Sequence, residues 1–144
     1  MLTIVKHPLI DVKLSIMRDE KTKAKEFRES LNEIASFMCF EVFKDLKTYE
    51  SEEKYNTPTG ITLPKVKLEQ KIIIAPILRA GMGMVDGVLT LMPNAKIGHI
   101  GLYRNEETLE PIEYYCKLPK NIQDKTVIVL DPMLATGGSG IDAI

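Results

Sequence analysis

The feature that most constrains the fold is the stretch from Thr126 to Gly140, which reads TVIVLDPMLATGGSG. Its apolar, β-favouring residues lead directly into Asp131, and a loop follows in which two adjacent glycines stand between hydroxyl side chains. This order is typical of a buried strand that carries a carboxylate at its tip and continues into a small-residue turn able to cradle a phosphate. The chain ends at Ile144, shortly after that loop.

The composition is that of an ordinary globular domain. The chain has 144 residues, of which 44% are hydrophobic and 27% charged, with a net charge of −1. This length suits one domain, which we assign to residues 1–144. Basic and acidic residues are mixed, and the lysines of residues 21–25 are followed at once by Glu26, so we expect a solvated helix face there and no nucleic-acid surface. We expect a cytoplasmic protein, because no apolar run approaches the ~20 residues that span a bilayer.

Neither the cysteines nor the histidines point to a metal centre. Cys39 lies in an apolar helical pattern and Cys116 in a strand-like run, and we expect both to be buried free thiols in a reducing compartment. The two histidines, His7 and His99, lack ligand spacing to either cysteine, and His99 is expected to be a core residue.

The first part of the chain is predicted to be helical and then extended. We expect a short helix over residues 9–18 and a longer amphipathic helix from Ala24 that ends near Lys47. Residues 61–68 alternate between apolar and polar side chains despite Pro64, which predicts an exposed ribbon or edge strand available for dimer contacts.

From Lys71 onward the pattern becomes that of an α/β fold. The continuous apolar run of residues 72–75 predicts a strand covered on both faces, which Pro76 is expected to interrupt. A helix over residues 82–92 follows. Three further strands are predicted at residues 95–103, 112–118 and 126–130. Strands that alternate with helices indicate a largely parallel sheet flanked by helices.

Three candidate binding residues fall just past predicted strand ends. They are Arg79, Arg104 and Asp131. Ligands of parallel sheets bind outside the carboxyl ends of the strands, so three loops can converge on one site. In the last loop, glycines would let backbone N–H groups approach an anion, Thr136 and Ser139 would add hydroxyl donors, and a helix expected to begin near Ser139 would add its dipole.

Each element also has a purely structural interpretation. The glycine loop could be an ordinary turn capped by Asp131, and it lacks the lysine of a Walker A motif. For Arg104 alone, a surface salt bridge with Glu106 or Glu107 is the better interpretation. The glycines at positions 81, 83 and 87 resemble a dinucleotide fingerprint, but Asp86 occupies the place of its third glycine. Tyr114 and Tyr115 are expected to cover the sheet or line a cleft.

Taken together, the three loops offer a phosphate cradle, an acceptor for vicinal hydroxyls and two cationic clamps. One ligand uses all of them: a ribose with a 5-phosphate at one end and a 1-diphosphate at the other.

At this point the sequence resembles the uracil phosphoribosyltransferases, a family of type I phosphoribosyltransferases. The resemblance covers the whole chain, including His7 to Ile10, residues 13–19 and Thr57-Pro58, and is most specific in four segments: PILRAGMGM from Pro76, GHIGLYRNEET from Gly98, PIEYYCKLP from Pro111 and LDPMLATGGS from Leu130.

The resemblance implies a function and a set of site residues. It implies a pentosyltransferase of pyrimidine salvage that converts uracil and 5-phosphoribosyl 1-diphosphate into UMP and diphosphate. Arg79, Arg104 and Asp131 would be catalytic. These three would also bind substrate, together with Pro132, Met133, Leu134, Ala135, Thr136, Gly137, Gly138 and Ser139. Magnesium would bind mainly through the diphosphate, with no protein ligand, and the enzyme would be a homodimer or higher homo-oligomer. GTP activates some members, and it stays an open option here.

The chain departs from the family at its end. The family continues further, and its uracil-reading segment has no counterpart here; fewer than two helical turns follow Ser139. We therefore expect a C-terminally incomplete domain that retains the donor-binding half. Two other classes of protein stay open. One is a non-catalytic regulator that binds nucleotides and RNA on the same fold, which the lack of a basic stripe disfavours. The other is a dinucleotide-binding oxidoreductase, which the glycine spacing disfavours.

Overall fold

The computed structural model describes residues 2–105 and 111–144. Two helices come first, a two-stranded ribbon follows, and the rest forms a sheet with two further helices. In these residues we find no helix with the length and apolar character needed to cross a membrane.

The two N-terminal helices lie where the apolar spacing predicts them. Helix α1 spans Pro8–Arg18 and helix α2 spans Ala24–Val42. His7 caps α1, because its Nδ1 accepts a hydrogen bond from the backbone N–H of Leu9 at 3.2 Å. Pro8 then occupies the first helical position, where its missing N–H costs nothing.

The end of α2 was predicted too late. The helix was expected to continue to near Lys47, but it ends at Val42. Phe43 makes the last helical bond, donating to the carbonyl of Cys39 at 2.9 Å, and Leu46 then donates to the carbonyl of Phe43 at 3.1 Å. This shorter step closes a turn that keeps Leu46 half-buried, so the apolar spacing continues although the helix does not.

A two-stranded antiparallel ribbon follows. Strand β1 spans Thr48–Asn56 and pairs with β2, Thr62–Leu68, and nearly every residue of both strands is exposed. The alternation of β2 predicted this ribbon correctly. Strand β1 was not predicted, because seven of its nine residues are charged, amide or aliphatic hydroxyl residues, which leaves no apolar face. Gly60 closes the connecting turn with a φ of +84°, a conformation that favours glycine.

The main sheet is built around a buried central strand. Strand β3 spans Lys71–Leu78, and parallel partners lie on both of its sides. Strand β7 (Lys125–Leu130) lies on one side. Strands β4 (Lys96–Ile97) and β5 (His99–Arg104) lie on the other side, one after the other along the same edge of β3. Strand β6, Pro111–Lys117, pairs antiparallel with β5 and completes the sheet. The predicted largely parallel α/β sheet is therefore confirmed.

Pro76 does not end the strand, contrary to the prediction. It lies inside β3 and is fully buried. The carbonyl of Ile74 accepts a hydrogen bond from the N–H of Gly98 at 2.9 Å, so the backbone polar groups of Ile74 face β4 and β5. Because strand residues alternate, those of Pro76, two residues later, face the same side. The pairing on that side is interrupted at Gly98, between β4 and β5. The proline therefore meets a gap in the ladder, where a missing N–H is tolerated.

Two helices follow strands of this sheet. Helix α3 spans Met82–Leu91, as predicted, and the short α4 spans Gly138–Asp142. Helices α2 and α3 pack on one sheet face through a cluster of buried side chains. That cluster consists of Leu31, Ala35, Cys39, Ile74, Met84, Val85, Val88 and Leu130.

The two cysteines differ in exposure. Cys39 belongs to the buried cluster and is 4% exposed, as expected. Cys116 is exposed on β6, so the prediction of two buried thiols is wrong for it. The reason is topological: β6 pairs with β5 at the border of the sheet, so the strand-like pattern does not imply burial on both faces.

Candidate functional site

Arg79 and Asp131 lie at the same edge of the sheet. Strand β3 ends at Leu78 and β7 ends at Leu130, so each residue directly follows a strand end. Leu130 pairs with Pro76 in the parallel register, which brings the two carboxyl ends together. The expected convergence of these two loops at the carboxyl edge is what the strand pairing produces.

Arg104 lies further from the carboxyl edge of the sheet than Arg79 and Asp131 do. It was expected just past a strand end, but it is the last residue of β5 itself. Gly101 of β5 pairs with Leu78, and Arg104 follows three residues later, which is roughly 10 Å along an extended strand. Strands β5 and β6 thus continue past the sheet edge as a wall beside the site. The ion pair considered with Glu106 or Glu107 lies outside the described residues.

Asp131 forms a tight turn at the tip of β7. Its Oδ1 accepts a hydrogen bond from the backbone N–H of Met133 at 3.0 Å, and the residue is half-buried. A carboxylate has two oxygens with several lone pairs, so this bond leaves acceptor capacity for a ligand. The turn fixes the direction of the carboxylate, which agrees with the capping role considered from the sequence and is also compatible with a binding role.

The loop after Asp131 uses two unusual backbone conformations. Gly137 has a φ of +83° and Ala135 a φ of +44°. The N–H of Gly137 donates to the carbonyl of Leu134 at 2.7 Å, and its own carbonyl accepts from the N–H of Ile141 at 2.9 Å. The loop is thereby folded into a defined shape, whereas Met133 and Leu134 are 74% and 67% exposed.

The second half of this loop is open on its glycine side. A Cβ added at Gly137 would meet no atom within 4 Å, and one added at Gly138 would meet Thr136 Oγ1 at 3.8 Å. Ser139 is half-buried in the first turn of α4, which begins at Gly138, one residue before the predicted start. Packing therefore does not require these glycines, and a ligand has room to approach their backbone.

The turn after β3 folds back onto the end of β7. A Cβ added at Gly81 would lie 2.4 Å from the carbonyl oxygen of Leu130 and 2.8 Å from both the nitrogen and the oxygen of Ile77. Leu130 immediately precedes Asp131, so the turn that carries Arg79 is in direct contact with the base of the Asp131 loop.

This packing also explains the glycine spacing that resembled a dinucleotide fingerprint. A Cβ at Gly83 would meet Leu31 Cδ2 at 2.7 Å, and one at Gly87 would meet the carbonyl oxygen of Asn32 at 2.1 Å. The three glycines serve close approach of α3 to β7 and to α2. The importance of Gly81 was missed in the sequence, where its only signal was the small-residue turn after Arg79.

The aromatic residues of the wall are more exposed than expected for side chains that cover a sheet. Tyr114 and Tyr115 are 54% and 43% exposed. The Tyr114 ring lies 6.1 Å from that of Tyr103, and a Cβ added at Gly101 would come within 2.7 Å of it. Gly101 therefore makes room for Tyr114, and the pair presents an aromatic surface on the wall.

The described residues offer no side-chain metal centre. Within residues 2–105 and 111–144, no three His, Cys, Asp or Glu side chains are grouped to hold an ion. His7 caps α1 and stacks on Phe37 with ring centroids 5.0 Å apart, and His99 is half-buried in β5.

Comparisons with known proteins agree on one family. The family model described as uracil phosphoribosyltransferase matches residues 4–144. Uracil phosphoribosyltransferase of Clostridium beijerinckii is 56% identical over 140 residues, which are 97% of this chain and 66% of that protein. The enzyme of the same name from Clostridium acetobutylicum is 56% identical over 144 residues, 99% of this chain and 67% of its own.

A solved structure shares the fold. The AQ2163 protein of Aquifex aeolicus superposes with a TM-score of 0.89 at 40% identity, covering 99% of this chain and 67% of that one. The chain thus spans about two thirds of the length of the relatives that it matches. By its sequence and by its fold, the chain belongs to the uracil phosphoribosyltransferase family.

Proposed function

We propose that the protein acts in the transfer of ribose 5-phosphate from 5-phosphoribosyl 1-diphosphate to uracil, with UMP and diphosphate as products. Membership of the family supports this reaction class, and the names of the relatives favour it over a non-catalytic regulator. The structural observation that supports it most is the meeting of the Arg79 turn with the base of the Asp131 loop at the carboxyl edge of the sheet.

The arginines would act on the leaving group. As the bond from the anomeric carbon to the diphosphate breaks, negative charge grows on the diphosphate and positive charge on the sugar. Arg79, which is exposed directly after β3, and Arg104, at the end of β5, would stabilise the diphosphate by bidentate hydrogen bonds. Removing one such preorganised donor typically costs about 3–4 kcal/mol of transition-state stabilisation.

The Asp131 loop would hold the ribose 5-phosphate. The carboxylate of Asp131 would accept hydrogen bonds from the vicinal hydroxyls, in the direction that its turn with Met133 fixes. The phosphate would lie against the open backbone around Gly137 and Gly138. The residues that we assign to substrate binding are those of Asp131 to Ser139, together with the two arginines.

Magnesium would enter as part of the substrate. The ion would be held by diphosphate oxygens and water, in keeping with the reluctance of magnesium to lose its hydration water. Bound in this way, it would neutralise part of the charge that develops on the leaving group.

We further propose that the protein is a homodimer or higher homo-oligomer that uses the ribbon of β1 and β2. An isolated two-stranded ribbon is marginal in water, and this one exposes apolar side chains. Ile61 is 58% exposed and Val66 65%. Sedimentation should find that replacing both by lysine weakens self-association. The same double change at Thr59, in the turn that connects the strands, and at Glu52 of β1 should leave it unaltered.

Two properties come with the family proposal. We propose a cytoplasmic location, and we include GTP as a candidate effector. Diphosphate release measured with and without GTP tests the second; a rate that GTP leaves unchanged would remove it.

The decisive experiment distinguishes binding of the phosphoribosyl donor, 5-phosphoribosyl 1-diphosphate, from transfer of its ribose 5-phosphate to a base. The 144-residue chain is mixed with magnesium and 5-phosphoribosyl 1-diphosphate; binding is followed by calorimetry, and diphosphate release is followed with uracil, cytosine, hypoxanthine or orotate added. We expect this chain to bind 5-phosphoribosyl 1-diphosphate, and we expect release that is fastest with uracil from a protein that also carries the uracil-reading segment. RNA binding that weakens steeply with salt, without donor binding, would favour the regulator instead.

A matched variant tests the role of Asp131. Asp131→Asn should retain the fold and lose ribose binding, because the amide replaces an acceptor oxygen by a donor. Asp124→Asn, on the exposed loop before β7, is the control. Unchanged donor affinity in Asp131→Asn would contradict the role given to this carboxylate.

A further inference from the structure

Gly81 occupies a position where the backbone itself does not require glycine. Its φ is −59° and its ψ −22°, a right-handed conformation that any residue adopts. Nevertheless, a Cβ there would stand 2.4 Å from the carbonyl oxygen of Leu130 and 2.8 Å from two backbone atoms of Ile77. Glycine is required by space, because three backbone atoms of two strands enclose the position.

The atoms that enclose Gly81 cannot easily withdraw. Leu130 is 5% exposed and belongs to the buried cluster under α2 and α3. Six consecutive residue pairs hold β7 against β3 as far as Leu130. To bring a methyl group from 2.4 Å to beyond 3.0 Å of that oxygen, the turn of residues 79–81 would have to move by about 0.6 Å or more.

We propose that Gly81 is a positioning residue that sets the distance between Arg79 and Asp131. This inference rests on the proposed function, in which the two residues bind opposite ends of one donor molecule. Arg79 lies two residues before Gly81 in the same turn, and Asp131 follows the carbonyl that Gly81 contacts. A methyl group at position 81 would push the diphosphate clamp away from the ribose site without touching either side chain.

A change in spacing has a distinctive effect on ligands of different length. A donor that bridges both loops needs them at the correct separation, whereas a fragment that meets one loop does not. A misplacement of about 1 Å in a catalytic constellation can cost about 100-fold in rate, which sets the upper end of the effect expected here. We therefore expect Gly81→Ala to weaken binding of 5-phosphoribosyl 1-diphosphate by roughly 10- to 100-fold. Binding of ribose 5-phosphate alone, which meets only the Asp131 loop, should change by less than about twofold. Inorganic diphosphate also contacts Arg104, so its affinity should fall by less than that of the full donor.

Two glycines of helix α3, which begins directly after Gly81, provide matched controls. Gly83→Ala adds the same methyl group two residues later, where the first contact is the movable end of the Leu31 side chain. Gly87→Ala introduces backbone overlap with Asn32 at the contact between α2 and α3, away from the sheet edge. Neither variant should lose affinity for the donor selectively, relative to its two fragments. This holds even if Gly87→Ala lowers the melting temperature more than Gly81→Ala does.

The experiment is calorimetric titration of the wild type and the three variants with each of the three ligands, in magnesium buffer. Selective loss of donor affinity in Gly81→Ala supports the positioning role. Equal loss for all three ligands, or no loss for the donor, overturns it. If the wild type binds no donor, the proposed function fails instead, so the two failures are distinguishable.

A second variant covers the case in which Gly81→Ala does not fold. Ala80→Gly removes a methyl group from an exposed turn position and loosens the same turn without any overlap. It should weaken binding of 5-phosphoribosyl 1-diphosphate by about threefold or more and leave binding of ribose 5-phosphate unaffected. Donor affinity equal to that of the wild type in this variant would also overturn the inference.

Discussion

At Gly87, one added methyl group would meet the chain of a neighbouring helix. Its Cβ would lie 2.1 Å from the carbonyl oxygen of Asn32 and 3.1 Å from Ala35 Cβ, and the carbonyl of Gly87 already accepts a bond from Ser36 Oγ at 3.0 Å. Gly137 lies at the other extreme, since no atom is near its Cβ position and its φ of +83° is what requires glycine. A side chain is therefore excluded at Gly87 by steric overlap and disfavoured at Gly137 by backbone conformation.

This contrast predicts a reversal of the usual helix preference. In an exposed helix interior, Gly→Ala gains about 1 kcal/mol. We expect Gly87→Ala to lower the free energy of unfolding by about 1–3 kcal/mol, because the overlap with Asn32 forces α2 and α3 apart. Urea unfolding measures the change. The control is Gly83→Ala, whose methyl group the Leu31 side chain can accommodate. A stabilised Gly87→Ala protein would contradict the overlap with Asn32.

The two thiols are predicted to react at different rates. Cys39 is buried, and burial raises the pKa of its thiol, so the reactive thiolate is scarce there. Cys116 is exposed on β6. A thiol reagent at neutral pH should modify one cysteine per native chain quickly and the other slowly. Cys116→Ser should remove the fast phase, and both cysteines should react alike after denaturation; a single phase in the native protein would contradict this.

At the scale of elements, the β1–β2 ribbon is held by its own contacts. Backbone pairing, the bond from Ser51 Oγ to the carbonyl of Lys65 at 3.0 Å and a charge cluster join the two strands. In that cluster, Glu53 accepts from Lys65 at 2.5 Å and from Lys67 at 2.8 Å. The carboxylate therefore bonds to two residues of the opposite strand.

This cluster gives the ribbon a dependence on pH. The hydrogen bonds from Lys65 and Lys67 lower the pKa of Glu53 from 4.5 to about 2. Because the folded pKa is the lower one, the cluster stabilises the ribbon above the ordinary pKa of 4.5, and this contribution is lost as the pH falls from there towards about 2. An NMR titration of the Glu53 carboxyl should give this low pKa, and Lys65→Met should raise it. Lys54→Met, on the same ribbon, should not; an ordinary Glu53 pKa in the wild type would refute the cluster.

For the whole molecule, the site depends on strands distant in sequence. Arg79 follows β3 and Asp131 follows β7, about fifty residues later, and the parallel register between the strands brings them to one edge. The antiparallel pair of β5 and β6 then adds a wall that carries Arg104 and lies beside α4. A ligand that bridges these parts should therefore stabilise the folded state as a whole.

The expected stabilisation can be measured by thermal unfolding. With 5-phosphoribosyl 1-diphosphate and magnesium at 100 times the dissociation constant, the free energy of unfolding should rise by about 2.7 kcal/mol. For a domain of this size the melting temperature should then increase by roughly 10 °C. Asp131→Asn should show little increase at the same concentration. An equal increase with inorganic phosphate would indicate that the ribose and diphosphate ends contribute nothing.

Local pattern was sufficient for much of the fold. The continuous apolar runs before Ala75 and before Asp131 predicted two strands of the sheet, and the three- and four-residue spacing from Ala24 predicted α2. Such signals are local, because the period of apolar residues follows the geometry of one strand or one helix. For the same reason Asp131 could be placed at a strand tip from the sequence, and the family match agrees with the motifs around it.

Tertiary structure decided what depends on neighbours from elsewhere in the chain. The polar strand β1 forms because β2 pairs with it. Pro76 lies within β3 because the adjacent ladder is interrupted at Gly98. Cys116 is exposed because β6 lies at the border of the sheet. The role inferred for Gly81 belongs to the same class, since the carbonyl of Leu130 that excludes a side chain there comes from another strand. By itself, then, the sequence determined most of the strands and helices, though not β1 or the end of α2, and it placed Arg79 and Asp131 after strands. Register and close approach between distant segments are set by packing, and only the folded structure decided them.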